Sequence, residues 1–498
     1  MDRAGAQGGG GGARWSSPGS FFGALCAGLG ALGGALVFVA AHHALIDDAY
    51  ITLDYARTLA QHGQWGLQPG HPANTATSPL NVVLVAGLLR LCGGPVLAVG
   101  ILLIILLTAT GYALSAICAR LGHSPWPAAV AVSLLAVNPL LISTIGLETY
   151  LAVALIAALG AAVVAQRPVI TGLLCGLLVL TRADLATFAF AGLIALTASL
   201  PAGIRARGFS CVIGLATVVA LPWFAASWWW LGSAVPDTLL FKTSEVWPGT
   251  SFATGLLRYE HGFPLAAGLS VLPAAAGVAF LAGWAAMSPR RRRGLARPLV
   301  VVWGLGAILH LTVYLLLRPP PYHWYYGPAV GSFIMLAAVG VAALSRQLRW
   351  AGSTVGVLVI AATGVFLAGR SWAVMPISSN WASAAEYAAL AAKIPSGSTV
   401  ETFGEVGTVA YFCDCTVVDR LSDRAQVADL LRAKHAAAGP VLRTLLDWNY
   451  YRFRAPTPIH PVYKLTFAED PTGIHATSWR PYAGQMVIRP INQYEQPQ

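Results

Sequence analysis

The sequence predicts a polytopic all-α membrane protein of about eleven transmembrane helices, followed by a small C-terminal extracytoplasmic α/β domain. Three observations predict it. Hydrophobic residues fill 56% of the 498 positions and charged residues only 10%, against about 25% charged in an ordinary soluble domain. Apolar runs long enough to cross a bilayer, about 20 residues each, recur between Phe21 and Leu367. After Trp372 those runs stop and the composition becomes mixed.

The elements follow in chain order. Residues 1–19 are Gly-rich and polar, which predicts a disordered cytoplasmic N-terminus. Phe21–Ala41 is longer than a signal-peptide core, and no A-x-A-like cleavage pattern follows it, so it reads as the first membrane helix. Residues 42–78 are too hydrophilic to cross and form a first extracytoplasmic loop. Within it, Leu53, Tyr55, Ala56, Leu59 and Ala60 have the apolar spacing of a helix lying along the outer leaflet, broken at His62-Gly63. Further candidate segments are 80–92, 96–119, 126–142, 147–165, 168–181, 184–200, 208–232, 262–287, 297–317, 324–345 and 351–371. The segments 20–371 thus make up the transmembrane domain.

Orientation comes from short basic loops: Arg205 with Arg207, Arg290–Arg293 with Arg297, and Arg346 with Arg349. Cytoplasmic loops keep Lys and Arg, which sends 233–261, 318–323 and everything after 371 outside. Six segments then lie between the outer loop ending at Ser78 and the inner loop at Arg205, where parity demands an odd number of crossings. One is expected to be partial or re-entrant; 80–92 and 168–181 are the shortest. The net charge of +11 is spread over these loops. No aromatic-interleaved basic surface suggests a nucleic-acid partner. No internal repeat is evident, which weighs against inverted-repeat transporter folds.

In the C-terminal domain, 372–498, Asn380–Ala392 reads as an amphipathic helix, Ser398–Phe403 and Thr416–Val418 as strands, and Arg424–His435 as a second helix. Aromatic, Pro-punctuated sequence follows. Cys26, Cys92, Cys118, Cys175 and Cys211 lie in apolar segments and read as small buried hydrophobes. Cys413 and Cys415 fall in the outer domain, where a disulfide is permitted, although a ring closed across one residue is strained. No metal site is expected, and dependence on a divalent metal stays open.

Four groups of residues bear on chemistry. Asp47 and Asp48 stand together at the outer mouth of the first helix. Burial beside a like charge raises a carboxylate's pKa toward that of a general base; solvated loop charge or a helix cap is the plainer reading. Lys242 follows Pro236-Asp237-Thr238 near a helix end, suited either to snorkelling or to holding a lipid phosphate. Arg318, His323 and Tyr325 sit in an aromatic interfacial stretch, where a guanidinium beside rings suits a sugar phosphate. Glu148, Arg182 and Asp184 are ionisable residues at or near membrane depth, functional suspects unless they neutralise one another.

These motifs, in this order, resemble the GT-C superfamily of membrane glycosyltransferases, and within it the mycobacterial-type terminal β-1,2-arabinofuranosyltransferase group. Asp47-Asp48-Ala49-Tyr50-Ile51-Thr52 with Tyr55-Ala56-Arg57, Pro69-Gly70 and Thr77-Ser78-Pro79-Leu80 is similar to that group's first-loop signature. Gly146-Leu147-Glu148-Thr149 and Thr181-Arg182 resemble two further elements, with Ala183 and Leu185 in place of Pro and Gly. Pro236-Asp237-Thr238 through Lys242 resembles another, with Asp237 where Asn is usual. Gly404-Glu405-Val406-Gly407 through Asp419 is similar to an element of the outer domain, with Ser422 in place of a Gly.

The resemblance implies an inverting transfer from a polyprenyl-phosphate sugar to a cell-envelope glycan acceptor, with no cofactor. Arabinofuranose is the first expectation for the sugar and mannose the second. It implies that Asp47 or Asp48 is the base, with Asp47 preferred. Tyr50, Arg57, Glu148, Arg182, Asp237, Lys242, Arg318, His323 and Tyr325 are the implied donor-phosphate and substrate contacts. A lipid or sugar transporter, or a non-catalytic envelope-assembly protein, is the alternative.

Overall fold

The computed structural model describes residues 18–288, 297–402, 404–468, 474–475 and 485–491. The expected disordered N-terminus, apart from its last two positions, and the Arg290–Arg293 loop lie outside the described residues.

Apolar runs become helices where prolines open them and glycines close them. Pro79, Pro95 and Pro168 stand in the first turns of α3 (Pro79–Cys92), α4 (Pro95–Arg120) and α8 (Pro168–Thr181). There the missing N–H would be unsatisfied in any case. Ahead of them run α1 (Pro18–Ala41) and α2 (Asp47–His62), and α2 ends at Gly63 in the left-handed region. Between α4 and α8 come α5 (Trp126–Val137), the single turn α6 (Pro139–Ile142) and α7 (Thr149–Val164). The chain continues through α9 (Ala186–Ser199), α10 (Arg205–Ala226), α11 (Thr238–Lys242), α12 (Gly255–Gly262) and α13 (Pro264–Ala286). Next are α14 (Arg297–Leu317), α15 (Gly327–Ala342) and α16 (Arg346–Ala368).

Six helical runs are long and apolar enough to cross a membrane: Phe21–Ala41, Pro95–Arg120, Ala202–Leu231, Pro264–Ala286, Arg297–Leu317 and Arg346–Ala368. Six further apolar helices are shorter, among them the expected 80–92 and 168–181 segments. The protein is a multi-pass membrane protein. α1 packs on α4 so closely that a Cβ at Gly30 would collide with the Leu107 carbonyl, and one at Gly111 with the Cys26 carbonyl. Without a hydrophobic drive between helices in lipid, such small-residue contacts hold a bundle.

The C-terminal region contains α17 (Ala384–Ala391), α18 (Gly407–Phe412), α19 (Ala425–Ala437) and α20 (Pro440–Tyr450). A five-stranded sheet runs in the order β2-β1-β3-β5-β4, with β1 (Thr399–Glu401), β2 (Thr416–Val418), β3 (Tyr463–Ala468), β4 (Ile474–His475) and β5 (Gln485–Pro490). β1 pairs parallel with both β2 and β3, and β5 pairs antiparallel with β3 and β4. Cys413 and Cys415 are joined by a disulfide. The stretch after His435, read only as Pro-punctuated sequence, contains α20 and three of the five strands.

Two cores divide the apolar side chains. One is the helical bundle. The other unites Ile51, Tyr55 and Leu67 of the first loop and Val82 of α3 with Val400, Val417, Leu465 and Met486 of the sheet. α2 is therefore not a helix on the leaflet surface, as its spacing suggested. Eleven of its residues are buried, Asp47 and Asp54 among them, because the sheet region covers the face that the bundle leaves open.

Candidate active site

Successive residues on a helix point about 100° apart, so Asp47 and Asp48 leave the first turn of α2 in different directions. Asp47 turns to the C-terminal region. Its carboxylate accepts from the Gly407 amide at 3.2 Å, the Thr408 amide at 2.7 Å and the Thr408 hydroxyl at 2.8 Å. Asp48 turns to open space and makes no hydrogen bond among the described residues. It is partly accessible, but only through cavities that lie deep in the protein.

Three cavities surround this point, and Lys242 is a wall residue of all three. The first is a cleft of about 950 Å³, open solvent included, lined by Val179, Trp223, Phe224, Leu239, Val313 and Leu317, with Arg182, Asp184 and Tyr325 at its polar end. The second is a small chamber between Asp48, Thr75, Ser78, Glu148 and Trp324. The third lies between Asp47, Asp48, Glu245, Tyr322, Trp381, Glu405 and Arg420. The Lys242 ammonium stands 3.6 Å from the centre of the Tyr322 ring and 5.8 Å from that of Trp324. No hydrogen bond to it occurs among the described residues, so its N–H donors are free to meet an anion.

The charges tune one another. Burial raises the Asp48 pKa above the ordinary aspartate value, the Lys242 ammonium pulls it back, and Glu148 and Glu245 push it up again. Burial also lifts Asp47, to about 7, with the Asp48 charge adding to the rise against the Gly407 and Thr408 donors. Glu405, which accepts from the Trp381 amide at 2.7 Å and from the Tyr387 hydroxyl, is held well above the usual range by burial, then by Asp47.

Arg182 anchors the polar end of the cleft. It meets Glu148 at 2.6 Å and Asp184 at 2.9 Å, donates to the Tyr314 hydroxyl, and lies 5.1 Å from the centre of the Tyr325 ring. His310 Nδ1 stands 3.4 Å from Asp184, without hydrogen-bond alignment. Glu148 and Asp184 neutralise Arg182 and hold its guanidinium at the cavity wall. Of the expected contacts, Asp48, Glu148, Arg182, Lys242 and Tyr325 come together here.

Five others do not. Tyr50 packs at a tilt against Tyr411 and Phe412, with centroids 5.0 and 5.4 Å apart. Arg57 pairs with Asp54 at 2.8 Å and donates to the carbonyls of Ala410 and Tyr411. Asp47 thus holds the N-terminal amides of α18 and Arg57 its C-terminal carbonyls, each at the end its charge favours. Asp237 is fully buried, and Arg424 grips its two oxygens at 2.8 and 3.1 Å. An Asp stands where Asn was expected because its charge neutralises a buried guanidinium. His323 is buried behind the wall, and its Nε2 donates to the Ser143 carbonyl at 3.1 Å. Burial pushes its pKa down to about 4, so it is neutral and structural. Arg318 is exposed, caps α14 in the left-handed region at φ 50°, and lines none of the three cavities.

Sequence reasoning missed Glu245, which pairs with Arg420 at 3.4 Å and accepts from Trp247 Nε1 at 3.0 Å and the Tyr322 hydroxyl at 3.2 Å. Its position three residues after Lys242 was the available signal. His310 and Tyr314, four apart in an otherwise apolar helix, were another. Among the described residues, no group of three or more His, Cys, Asp or Glu is arranged to hold a metal ion.

No family model and no curated protein sequence matches the chain. Solved structures do. ArnT from Cupriavidus metallidurans, in its apo state, superposes with a TM-score of 0.55 at 12% identity, over 90% of this chain and 93% of that one. The same protein bound to undecaprenyl phosphate gives 0.52 at 13% identity, over 90% and 92%. The arabinofuranosyltransferase AftD from Mycobacteria gives 0.48 at 15% identity, over 89% of this chain and 35% of that one. The likeness to ArnT over nearly the whole of both chains gives this protein the GT-C fold.

Proposed function

We propose that this chain, which has the GT-C fold, is a membrane glycosyltransferase that takes a sugar from a polyprenyl-phosphate donor and transfers it with inversion to a cell-envelope glycan acceptor. The observation that carries this reading is the position of Lys242. Its ammonium, which has no hydrogen-bond partner among the described residues, lines an apolar cleft and also borders both chambers that contain Asp48. A prenyl chain suits the cleft, a phosphate suits the ammonium, and the sugar then extends toward Asp48. That ArnT has been solved with undecaprenyl phosphate bound supports a donor of the same chemistry.

In this mechanism an acceptor hydroxyl attacks the anomeric carbon from the face opposite the phosphate. The new C–O bond forms as the old one breaks, and the electron pair leaves with the polyprenyl phosphate. Lys242 offsets the charge developing on that phosphate, and Arg182, fixed by Glu148 and Asp184, lies beyond it. The hydroxyl proton passes to Asp48. Asp48 is preferred over Asp47 because Asp47's oxygens already accept three hydrogen bonds and face α18. Burial keeps Asp48 basic, while Lys242 keeps it ionised. Trp381, Tyr322 and Asn380 line the third chamber, which suits an acceptor sugar. Arabinofuranose remains the first expectation for the transferred sugar and mannose the second, both from the motif resemblance.

The chain is proposed to sit in the cell membrane with its N-terminus cytoplasmic and the 372–498 region outside. A reporter fused after Gln498 should be active only outside the cytoplasm. The activity itself is tested by incubating the purified protein with a panel of polyprenyl-phosphate sugars and an envelope glycan, and measuring polyprenyl phosphate released. Release with none of them, under conditions where the protein stays folded, removes the enzyme reading and favours a transporter or an assembly protein.

A further inference from the structure

Helix α20 has apolar side chains on two sides. Leu446 and Tyr450, four apart, pack inward against the second core. Val441, Leu445 and Trp448, spaced four and three apart, share another face. They are 74%, 54% and 70% exposed. A surface helix normally presents one apolar stripe, to its core. A second one needs a cover.

The neighbouring span indicates what that cover is. The membrane-length run Ala202–Leu231 ends in Trp228-Trp229-Trp230, and Trp229 and Trp230 are exposed. Tryptophans at the end of a span mark the bilayer boundary. α20 is fixed to this end. The Trp228 indole donates to the Trp448 carbonyl at 2.9 Å, and the Trp228 and Tyr451 rings stack 6.3 Å apart. The Arg452 guanidinium lies 3.7 Å from the centre of the Trp229 ring, and the Val235 amide donates to Asn449 Oδ1 at 2.8 Å. The polar side of α20 lies opposite the stripe: Arg443 donates there to the carbonyls of His435 and Ala436 at 3.2 and 3.3 Å, and Asp447 is the one acid on the helix and pairs with His435 at 3.1 Å.

We infer that α20 lies in the membrane interface, with Val441, Leu445 and Trp448 seated in lipid beside the Trp229–Trp230 belt and its polar side turned away from the bilayer. An amphipathic helix with aromatic and aliphatic residues on one face and polar residues on the other binds in this way. The inference is independent of the proposed reaction. It has a consequence for the site, because α19 packs on α20 and its Lys434 ammonium donates to the Thr243 carbonyl at 3.1 Å, one residue from Lys242.

The test uses the full chain with Cys92 and Cys211 replaced by Ser, reconstituted in vesicles of phosphatidylcholine and phosphatidylglycerol. Single variants Leu445→Cys, Trp448→Cys and Asp447→Cys carry nitroxide labels, and collisions with oxygen and with a water-soluble nickel chelate are compared. Labels at 445 and 448 should favour oxygen over nickel severalfold more than the label at 447 does. Equal, water-like access at all three positions overturns the inference. So does shielding of 445 from both reagents together with 445-to-445 cross-linking, which would identify a second copy of the chain as the cover. Each position is exposed, so labelling leaves folding intact, and a size-exclusion profile matching the unlabelled protein checks this.

Discussion

Helix α2 separates two regions that contain similar side chains and use them differently. On one side is the seam with the C-terminal region. There Asp47 is held by Gly407 and Thr408, Arg57 by the carbonyls of Ala410 and Tyr411, and nearby Asp237 is forked by Arg424. On the other side are the cavities. Asp48 has no hydrogen-bond partner among the described residues, and Lys242 has only aromatic faces. Buried charge is costly unless it is paired, and in the seam each of these charges is held by a partner from another element, which makes it a fixed joint. The seam also shows how close the joint is. A Cβ at Gly407 would collide with the Asp47 carbonyl oxygen and the Ile51 amide, so only glycine lets α18 approach α2.

The sharpest way to break this contrast is to neutralise the two aspartates separately. Asp48→Asn should lower kcat for transfer by about 10³-fold, within the range of a lost general base, with the thermal unfolding midpoint unchanged. Asp47→Asn should retain most of the activity and lower the midpoint instead. The reverse result, measured by polyprenyl phosphate release and by thermal melts, would return the base to Asp47.

The seam itself is tested at Asp237. Asp237→Ala strands the Arg424 guanidinium, and losing one partner of a buried pair costs about 3–5 kcal/mol. The double change Asp237→Leu with Arg424→Met should recover much of that loss, because the stranded charge is gone. If the single variant unfolds at the wild-type temperature, Asp237 belongs to the cavities and not to the seam.

On the cavity side, Lys242→Met should cost about 10²–10³ in kcat/KM, the scale of a lost electrostatic donor at a developing charge. It should also move the pH profile. As the proposed base Asp48 works in its ionised form, and burial sets its pKa above the ordinary value, so activity should rise with pH through a limb lying above the usual aspartate range. Lys242 lowers that pKa, so its loss should shift the limb to higher pH, while Glu245→Gln should shift it lower. A limb that stays in place in both variants would separate Asp48 from the observed ionisation.

Much of this architecture was readable in the sequence, since membrane helices depend on unbroken apolar runs and on the prolines that open them. β2 was placed at Thr416–Val418 as observed, and β1 lies within the expected Ser398–Phe403. α20 was hidden although its apolar and polar residues alternate at helical spacing, because Pro440, Pro456, Pro458 and Pro461 and the aromatics among them gave the stretch the look of a loop. The site was only half readable. Asp48, Glu148, Arg182, Lys242 and Tyr325 do gather, whereas Tyr50, Arg57 and Asp237 share the same motifs but face the seam. Nothing local tells these sets apart. Their partners Ala410, Tyr411, Phe412 and Arg424 lie between about 190 and 360 positions away, and only long-range packing brings them in.

Arg318 gives the smallest expected effect and a direct choice between motif and packing. The motif reading makes it a phosphate ligand, so removing it should cost activity on the scale of Lys242. In the folded chain it is exposed and terminates α14 with φ at 50°, a conformation that costs an L-residue about 1–2 kcal/mol and a glycine little. Glycine's greater freedom in the unfolded chain takes back about 0.5–1 kcal/mol. Arg318→Gly should therefore leave transfer within about twofold of wild type and change stability by between about zero and +1.5 kcal/mol. Arg318→Ala keeps the strained backbone and should not be stabilised. Loss of transfer in both variants at unchanged stability would restore Arg318 to the phosphate site; the Gly–Ala difference in melting temperature, with activity intact, would identify it as a helix cap.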